Sequence, residues 1–228
     1  MSGALVEVGS GEPTRLVMAL HGYGGCGCQI AQALTAAAGT APRVVVFAPD
    51  GTAPAPLAPG GRAWYPVTSH AVEMALRSRP VTADIAARLA AHQRRYGIAA
   101  EHTCVLGFSQ GTTVAAAILE RGDLCGSGVF VCGRLPRGPD RERRRPPPAA
   151  RALVIAGGRD RFAPPDLLGA DLVASGLGAK ARLVVLPDLA HELRPDVAAL
   201  AMRFAVGGRE APSGVAGDPD AVVPRRVP

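Results

Sequence analysis

Aromatic side chains are scarce in this 228-residue chain: Phe, Tyr and Trp make up 4% of it, and Trp64 is the one tryptophan. Its core must therefore be filled mainly by Ala, Val and Leu. Hydrophobic residues still reach 48%, enough to exclude an intrinsically disordered chain. Lysine is nearly absent. Lys180 stands alone, so arginine carries the formal charge of +6; with abundant Ala, Gly and Pro this reads as the mark of a GC-rich genome. No apolar run is long enough to cross a bilayer. Met1 to Gly11 lacks the basic start and apolar centre of a secretory signal. The five cysteines (Cys26, Cys28, Cys104, Cys125, Cys132) are odd in number and sit in a chain too large to need a disulfide framework. A reduced, cytoplasmic setting is expected. Cys26 and Cys28 have no second ligand pair nearby, which argues against zinc, and they read as small buried packers. The basic runs Arg141 to Arg145 and Arg225-Arg226 are flanked by Pro and lack interleaved aromatics, so they read as solvated segments and no nucleic-acid partner is expected.

What the chain does have is alternation. Leu16 to Leu20, Arg43 to Ala48, Thr103 to Leu106, Ser127 to Cys132, Ala152 to Ala156 and Arg182 to Leu186 are continuous apolar runs of strand length. Between them lie helical stretches: Val81 to Tyr96, with Ile85 and Leu89 on one stripe and Thr82 or Asp84 as a candidate cap; Thr112 to Glu120; and Pro195 to Val206. Such alternation indicates an α/β fold with a mostly parallel central sheet covered by helices on both faces. Residues 1–206 are expected to form the folded domain, 137–148 an Arg/Pro-rich surface loop, and 207–228 a disordered tail.

In parallel sheets, sites form at the carboxyl ends of strands. Gly107-Phe108-Ser109-Gln110-Gly111 follows the strand ending at Leu106 and precedes a helix. This is the G-x-S-x-G pattern of a nucleophile elbow, in which a sharp turn exposes the serine and glycines permit close approach of strand and helix. Serine needs a base to take its proton. Of five histidines, His21 lies before the elbow, His70 in a loop, and His92 and His102 at or near a helix end. Only His191 follows the last strand, where the chain order Ser, acid, His places the base. Asp160 follows the preceding strand and is the candidate third member. Asp166 reads as a helix cap and Asp188 as a solvated loop residue. The backbone N–H groups of Gln110 and of Tyr23, in His21-Gly22-Tyr23-Gly24-Gly25, are the candidate oxyanion donors.

With these residues in place, the chain resembles the phospholipase/carboxylesterase family of α/β-hydrolases, which includes acyl-protein thioesterases. The shared stretches are Leu20-His21-Gly22-Tyr23-Gly24, Ala63-Trp64-Tyr65, Leu106-Gly107-Phe108-Ser109-Gln110-Gly111, Gly133-Arg134-Leu135-Pro136, Gly157-Gly158-Arg159-Asp160 and His191-Glu192, in family order over residues 14–206. The resemblance implies the α/β-hydrolase fold and a serine esterase or thioesterase that uses no cofactor or metal and acts on a small-molecule ester or thioester. It places Trp64 and Tyr65 near the mouth of the site, as pocket walls or as the anchor of a long loop. Four stretches depart from the family: Gly25-Cys26 stands where an acidic residue is usual, Thr112 where a second glycine is usual, Arg161-Phe162-Ala163-Pro164 where two valines precede the proline, and the Arg/Pro-rich loop at 137–148 is unusual. Peptidase or lactonase activity from the same triad, and a non-catalytic binding protein on this scaffold, are the alternatives. Acyl length and oligomeric state are not encoded in any motif.

Overall fold

The computed structural model describes residues 3–38, 43–135, 150–175, 177 and 181–207. The expected Arg/Pro-rich loop, and all but Gly207 of the expected tail, lie outside these residues. In chain order the elements are β1 (Gly3–Val8), β2 (Arg15–Leu20), α1 (Gly27–Ala36), β3 (Val44–Pro49), the short pair β4 (Ala53–Pro54) and β5 (Arg62–Ala63), α2 (Ala71–Tyr96), β6 (Thr103–Phe108), α3 (Gln110–Leu119), β7 (Ser127–Val131), β8 (Arg151–Gly157), α4 (Pro165–Ala174), β9 (Ala181–Leu186) and α5 (Pro195–Val206). No helix among the described residues is long and apolar enough to cross a membrane.

Among the described residues, seven strands form one sheet in the order β1-β3-β2-β6-β7-β8-β9. All pairs are parallel except the edge pair β1–β3. Successive strand side chains alternate between faces, and the core divides accordingly. Leu16, Met18, Leu20, Val45, Val105 and Phe130 meet α2, α3 and α4 on one face. Val17, Ala19, Val44, Val46, Val129 and Ile155 meet α1 and α5 on the other. Covering both faces is what makes the inner strands read as unbroken apolar runs. β1 escapes the sequence reading because it is an edge strand, half-buried on alternate residues only. α1 escapes it because its first turn carries Gly27 and Cys28 rather than helix formers.

Helix α2 begins ten residues before the start expected at Val81. Proline is favoured at the start of a helix, yet Pro80 lies inside this one. Ala71 to Arg79 is rich in helix formers and carries an i,i+4 pair, Glu73–Arg77 at 2.9 Å. Neither proposed cap acts as one. The Thr82 hydroxyl donates back to the Ser78 carbonyl at 2.8 Å, and Asp84 pairs with Arg88 at 2.9 Å. The expected stripe is there: Ser78, Val81, Thr82, Ile85, Ala86 and Leu89 are the buried side. The helix ends at Gly97, whose φ of 63° and N–H bond to the Gln93 carbonyl close the last turn.

The stretch after β7 is tied to α4 by a buried ion pair. Asp171 is fully buried and accepts from Arg134 Nε at 2.5 Å, Arg134 Nη2 at 3.1 Å and the Leu135 N–H at 3.2 Å. Removing one partner strands the other charge in low dielectric. Asp171→Ala is therefore expected to lower the unfolding free energy by about 3–5 kcal/mol, read from urea unfolding midpoints. A loss within the range of an exposed pair, below about 1 kcal/mol, would show that the pair contributes little.

Candidate active site

Ser109 sits between β6 and α3 with φ 51° and ψ −118°, a strained left-handed conformation for a residue bearing a Cβ. The turn is held from several sides. The Ser109 N–H donates to the Val131 carbonyl at 2.9 Å. A Cβ on Gly107 would come within 2.5 Å of the Thr112 backbone, and one on Gly111 within 2.2 Å of the Leu20 carbonyl oxygen. Only glycine allows strand and helix to meet this closely. Thr112, where the family often has glycine, is fully buried, and its hydroxyl donates to the Gly107 carbonyl at 3.0 Å.

Asp160 follows β8 and is 3% exposed. Its Oδ1 accepts from the N–H groups of Phe162 and Ala163 at 2.8 and 2.9 Å. Its Oδ2 lies 2.8 Å from His191 Nδ1, and His191 Nε2 lies 2.7 Å from Ser109 Oγ. With Nδ1–H donating to the carboxylate, Nε2 is left as an acceptor facing the serine hydroxyl. Phe108 and Phe162 flank the imidazole, their ring centres 5.4 and 4.9 Å away. Asp188 stands apart: it pairs with Arg159 at 2.9 Å, and both side chains are more than 70% exposed. Asp166 lies in the first turn of α4, and the cap position expected of it is held by Pro164.

The loop after β2 packs against the elbow. A Cβ on Gly22 would sit 3.1 Å from the Ser109 Cβ. Neither the Tyr23 N–H nor the Gln110 N–H has an acceptor among the described residues, and Gln110 opens α3, where amides point out of the helix end. The Gln110 side chain is committed elsewhere. It accepts from the Trp64 N–H at 2.9 Å and donates to the Tyr65 carbonyl at 2.7 Å, which fastens that loop to the elbow.

A cavity of about 650 Å³ opens above Ser109 and His191, lined largely by apolar groups including Leu57, Tyr65, Val67, Met74, Phe162 and Leu167. Of the two expected pocket residues, Tyr65 lines it. Trp64 does not: it is 2% exposed, and its indole N–H donates to the His21 carbonyl at 2.7 Å. An indole needs a partner for its N–H when buried, and that partner is the carbonyl that opens the loop after β2, so Trp64 is the anchor rather than the wall. Burial pushes the Tyr65 phenol up to about 12, so the wall is uncharged at neutral pH. Cys132 also lines the cavity, with a left-handed φ of 49°. Burial, and then the neighbouring Asp160, push its thiol up to about 12. It is a neutral packer, not a rival nucleophile. Cys26 and Cys28 are not buried as expected. Cys26 caps the N-terminus of α1 and Cys28 lies in its first turn, before the buried Ile30; Cys28 is exposed and the two sulfurs are 2.7 Å apart.

The profile of the Phospholipase/Carboxylesterase family matches residues 1–137, more than half of the chain. The chain belongs to this family. The match takes in the loop at 21–25 and the elbow but ends before Asp160 and His191. Solved structures similar to the chain agree on the α/β-hydrolase fold. Esterase PE8 superposes with a TM-score of 0.77 at 23% identity, covering 89% of this chain and 96% of its own. A carboxylesterase from Mesorhizobium loti gives 0.69 at 19% identity, covering 85% and 88%. Acyl-protein thioesterase 2 from Zea mays gives 0.70 at 18% identity, covering 91% and 99%. Among curated proteins none matches closely enough to count as a relative.

Sequence reading of this family member missed His21 beyond ranking it as a poor base. His21 is 2% exposed, and burial holds its imidazole below the ordinary 6.5 despite the Gly22 carbonyl and nearby Asp50; Arg62 acts in the same downward direction. The signal in the chain was its place between a buried strand and a glycine loop, where a solvated histidine has no room. A group that stays neutral when folded, but takes a proton when unfolded below about 6.5, withdraws stability as pH falls. Urea midpoints measured from pH 7.5 down to 5.5 are expected to fall, and the fall is expected to be shallower in His21→Asn, which cannot titrate. Equal slopes in the two proteins would show that His21 is not held neutral. His92, also shifted down by burial, contributes equally to both and cancels.

Proposed function

We propose that this protein hydrolyses carboxylic esters or thioesters through an acyl-serine intermediate on Ser109. The observation that carries the reading is the unbroken hydrogen-bond chain from Asp160 Oδ2 through His191 to Ser109 Oγ, at 2.8 and 2.7 Å. Within it, His191 Nε2 takes the hydroxyl proton as Oγ attacks the carbonyl carbon. Asp160 holds the ring in the productive tautomer and stabilises the imidazolium. The backbone N–H groups of Tyr23 and Gln110 receive the oxyanion. His191 then returns the proton to the departing alcohol or thiol, and water attacks the acyl-Ser109 with His191 again as base.

The cavity supports a substrate with one acyl chain. Its 650 Å³ lies within the usual range for small-molecule sites, and its largely apolar wall suits hydrocarbon. The test is labelling of the intact chain with a fluorophosphonate and mapping of the modified residue, beside turnover of p-nitrophenyl acyl esters, acyl thioesters, lactones and peptides. Modification at Ser109 with ester or thioester turnover is expected. Faster peptide or lactone cleavage would reassign the substrate, and no labelling at all would leave a binding protein on a hydrolase scaffold.

A further inference from the structure

We propose that His21 is a positioning residue for the oxyanion hole, acting as one fixed tautomer that holds the Gly22–Tyr23 peptide with its N–H presented to the reacting carbonyl. This rests on the acyl-serine reading above and adds a residue to it.

The tautomer follows from the neighbours. Gly51 donates its backbone N–H to His21 Nε2 at 2.9 Å. An amide N–H can only donate, so Nε2 carries no proton. His21 Nδ1 lies 2.7 Å from the Gly22 carbonyl oxygen. A carbonyl can only accept, so Nδ1 carries the proton. Both partners are backbone groups, and neither can reverse its role. The imidazole is buried, with the Trp64 ring 4.8 Å from it. The Trp64 indole N–H holds the His21 carbonyl at 2.7 Å. Side chain and main chain of His21 are thus fixed together.

What the tautomer holds is the peptide that carries the Tyr23 amide. The Gly22 carbonyl and the Tyr23 N–H belong to one planar unit, and the chain has no cis peptide bond among its described residues. In a trans peptide, C=O and N–H point in opposite directions. Fixing the oxygen from one side therefore fixes the hydrogen on the other. Two donors converge on that oxygen: His21 Nδ1–H, and the Gly25 N–H at 3.1 Å. The Tyr23 N–H on the far edge has no acceptor among the described residues, and Gly22 itself packs on Ser109. Without the Nδ1–H bond, the Gly25 N–H would be the one remaining hydrogen bond to this peptide among the described residues, and the glycine on its carbonyl side leaves it freer to turn. A donor that must wait to be oriented stabilises a developing oxyanion less than one held ready.

Two substitutions in the full chain separate this role from mere packing. Asn sets an amide N–H near the place of Nδ1 but cannot reach Gly51. Gln sets an amide oxygen near the place of Nε2, where it accepts from Gly51, but gives Gly22 no donor. Each loses one buried hydrogen bond, so the two are expected to melt at similar temperatures. His21→Gln is expected to lower kcat for a p-nitrophenyl ester about 10- to 100-fold, somewhat less than deletion of an oxyanion donor, with KM nearly unchanged. Its affinity for an alkyl trifluoromethyl ketone, which adds Ser109 as an oxyanion-bearing hemiketal, is expected to fall by the same factor. His21→Asn is expected to keep most of both.

Equal losses in the two variants, or losses that follow melting temperature, would overturn the proposal. Should His21→Gln not fold, ring-nitrogen NMR shifts of the wild-type protein decide instead: a protonated Nδ1 with bare Nε2 at neutral pH upholds the assignment, and the opposite tautomer ends it. A wild-type chain that neither turns over ester nor binds the ketone would sink the acyl-serine reading itself, a result distinct from an active wild type with indistinguishable variants.

Discussion

Replacing Ser109 with alanine should lower ester turnover by at least about 10⁴-fold and remove fluorophosphonate labelling, while leaving thermal unfolding nearly unchanged. The effect is large because Oγ is the atom that would carry the acyl group, and no second nucleophile among the described residues is poised beside His191 Nε2. Cys132 also lines the cavity, but its thiol, pushed up to about 12 by burial and Asp160, stays protonated. The fold should tolerate the change because alanine keeps the Cβ and the left-handed backbone at φ 51°. The hydrogen bond lost with Oγ is the one to His191, which Asp160 still holds. Residual turnover would come from oxyanion donors and binding alone. Full labelling of the variant at another serine would overturn the assignment of the nucleophile.

Asp160→Asn should cost about 10⁴-fold in turnover, and Asp188→Asn only a few-fold at most. The size of the first loss has a local cause in this site. Oδ1 of residue 160 receives two backbone N–H groups, from Phe162 and Ala163, so an asparagine must keep its carbonyl oxygen there. Its amide NH₂ then faces His191 Nδ1, which must become the acceptor. The imidazole proton moves to Nε2, and Nε2 donates to Ser109 Oγ instead of accepting from it. The base is present and correctly placed but in the wrong tautomer. Asp188 has no such leverage, since its carboxylate lies in an exposed pair with Arg159, worth about 1 kcal/mol or less. Single-turnover acylation rates of the two variants make the comparison. A crippled Asp188→Asn beside a nearly silent Asp160→Asn would reverse the assignment of the acid.

Some of this architecture was legible in the chain because its causes are local. Strands buried on both faces leave continuous apolar runs, so the inner strands could be located to within a residue or two. Gly107 and Gly111 mark the close approach around Ser109, because no other residue fits there. Helix α5 begins and ends where its proline and glycine say it should. Asp160 and His191 could be nominated from their places after successive strands, since a parallel sheet gathers strand ends on one rim. Other features had non-local causes. α2 runs through Pro80 because packing and an i,i+4 pair outweigh one lost hydrogen bond. Neighbouring Trp64 and Tyr65 point to different surroundings, core and cavity, a choice no sequence pattern records. The ring of Phe162 against His191 depends on how the stretch after β8 returns across the site.

By itself, then, the order of residues determined the alternation of strand and helix, the sharp turn at Ser109, and a short set of candidate partners for it. Spacing and steric limits act between near neighbours, and so they can be read along the chain. The tertiary structure alone decided the distances of 2.7 and 2.8 Å that join Ser109, His191 and Asp160, the surface pairing of Asp188, and the tautomer of His21. Apart from the adjacent Gly22 carbonyl on His21, the hydrogen bonds and ion pair there join groups far apart along the chain, which only the folded sheet brings within reach of one another.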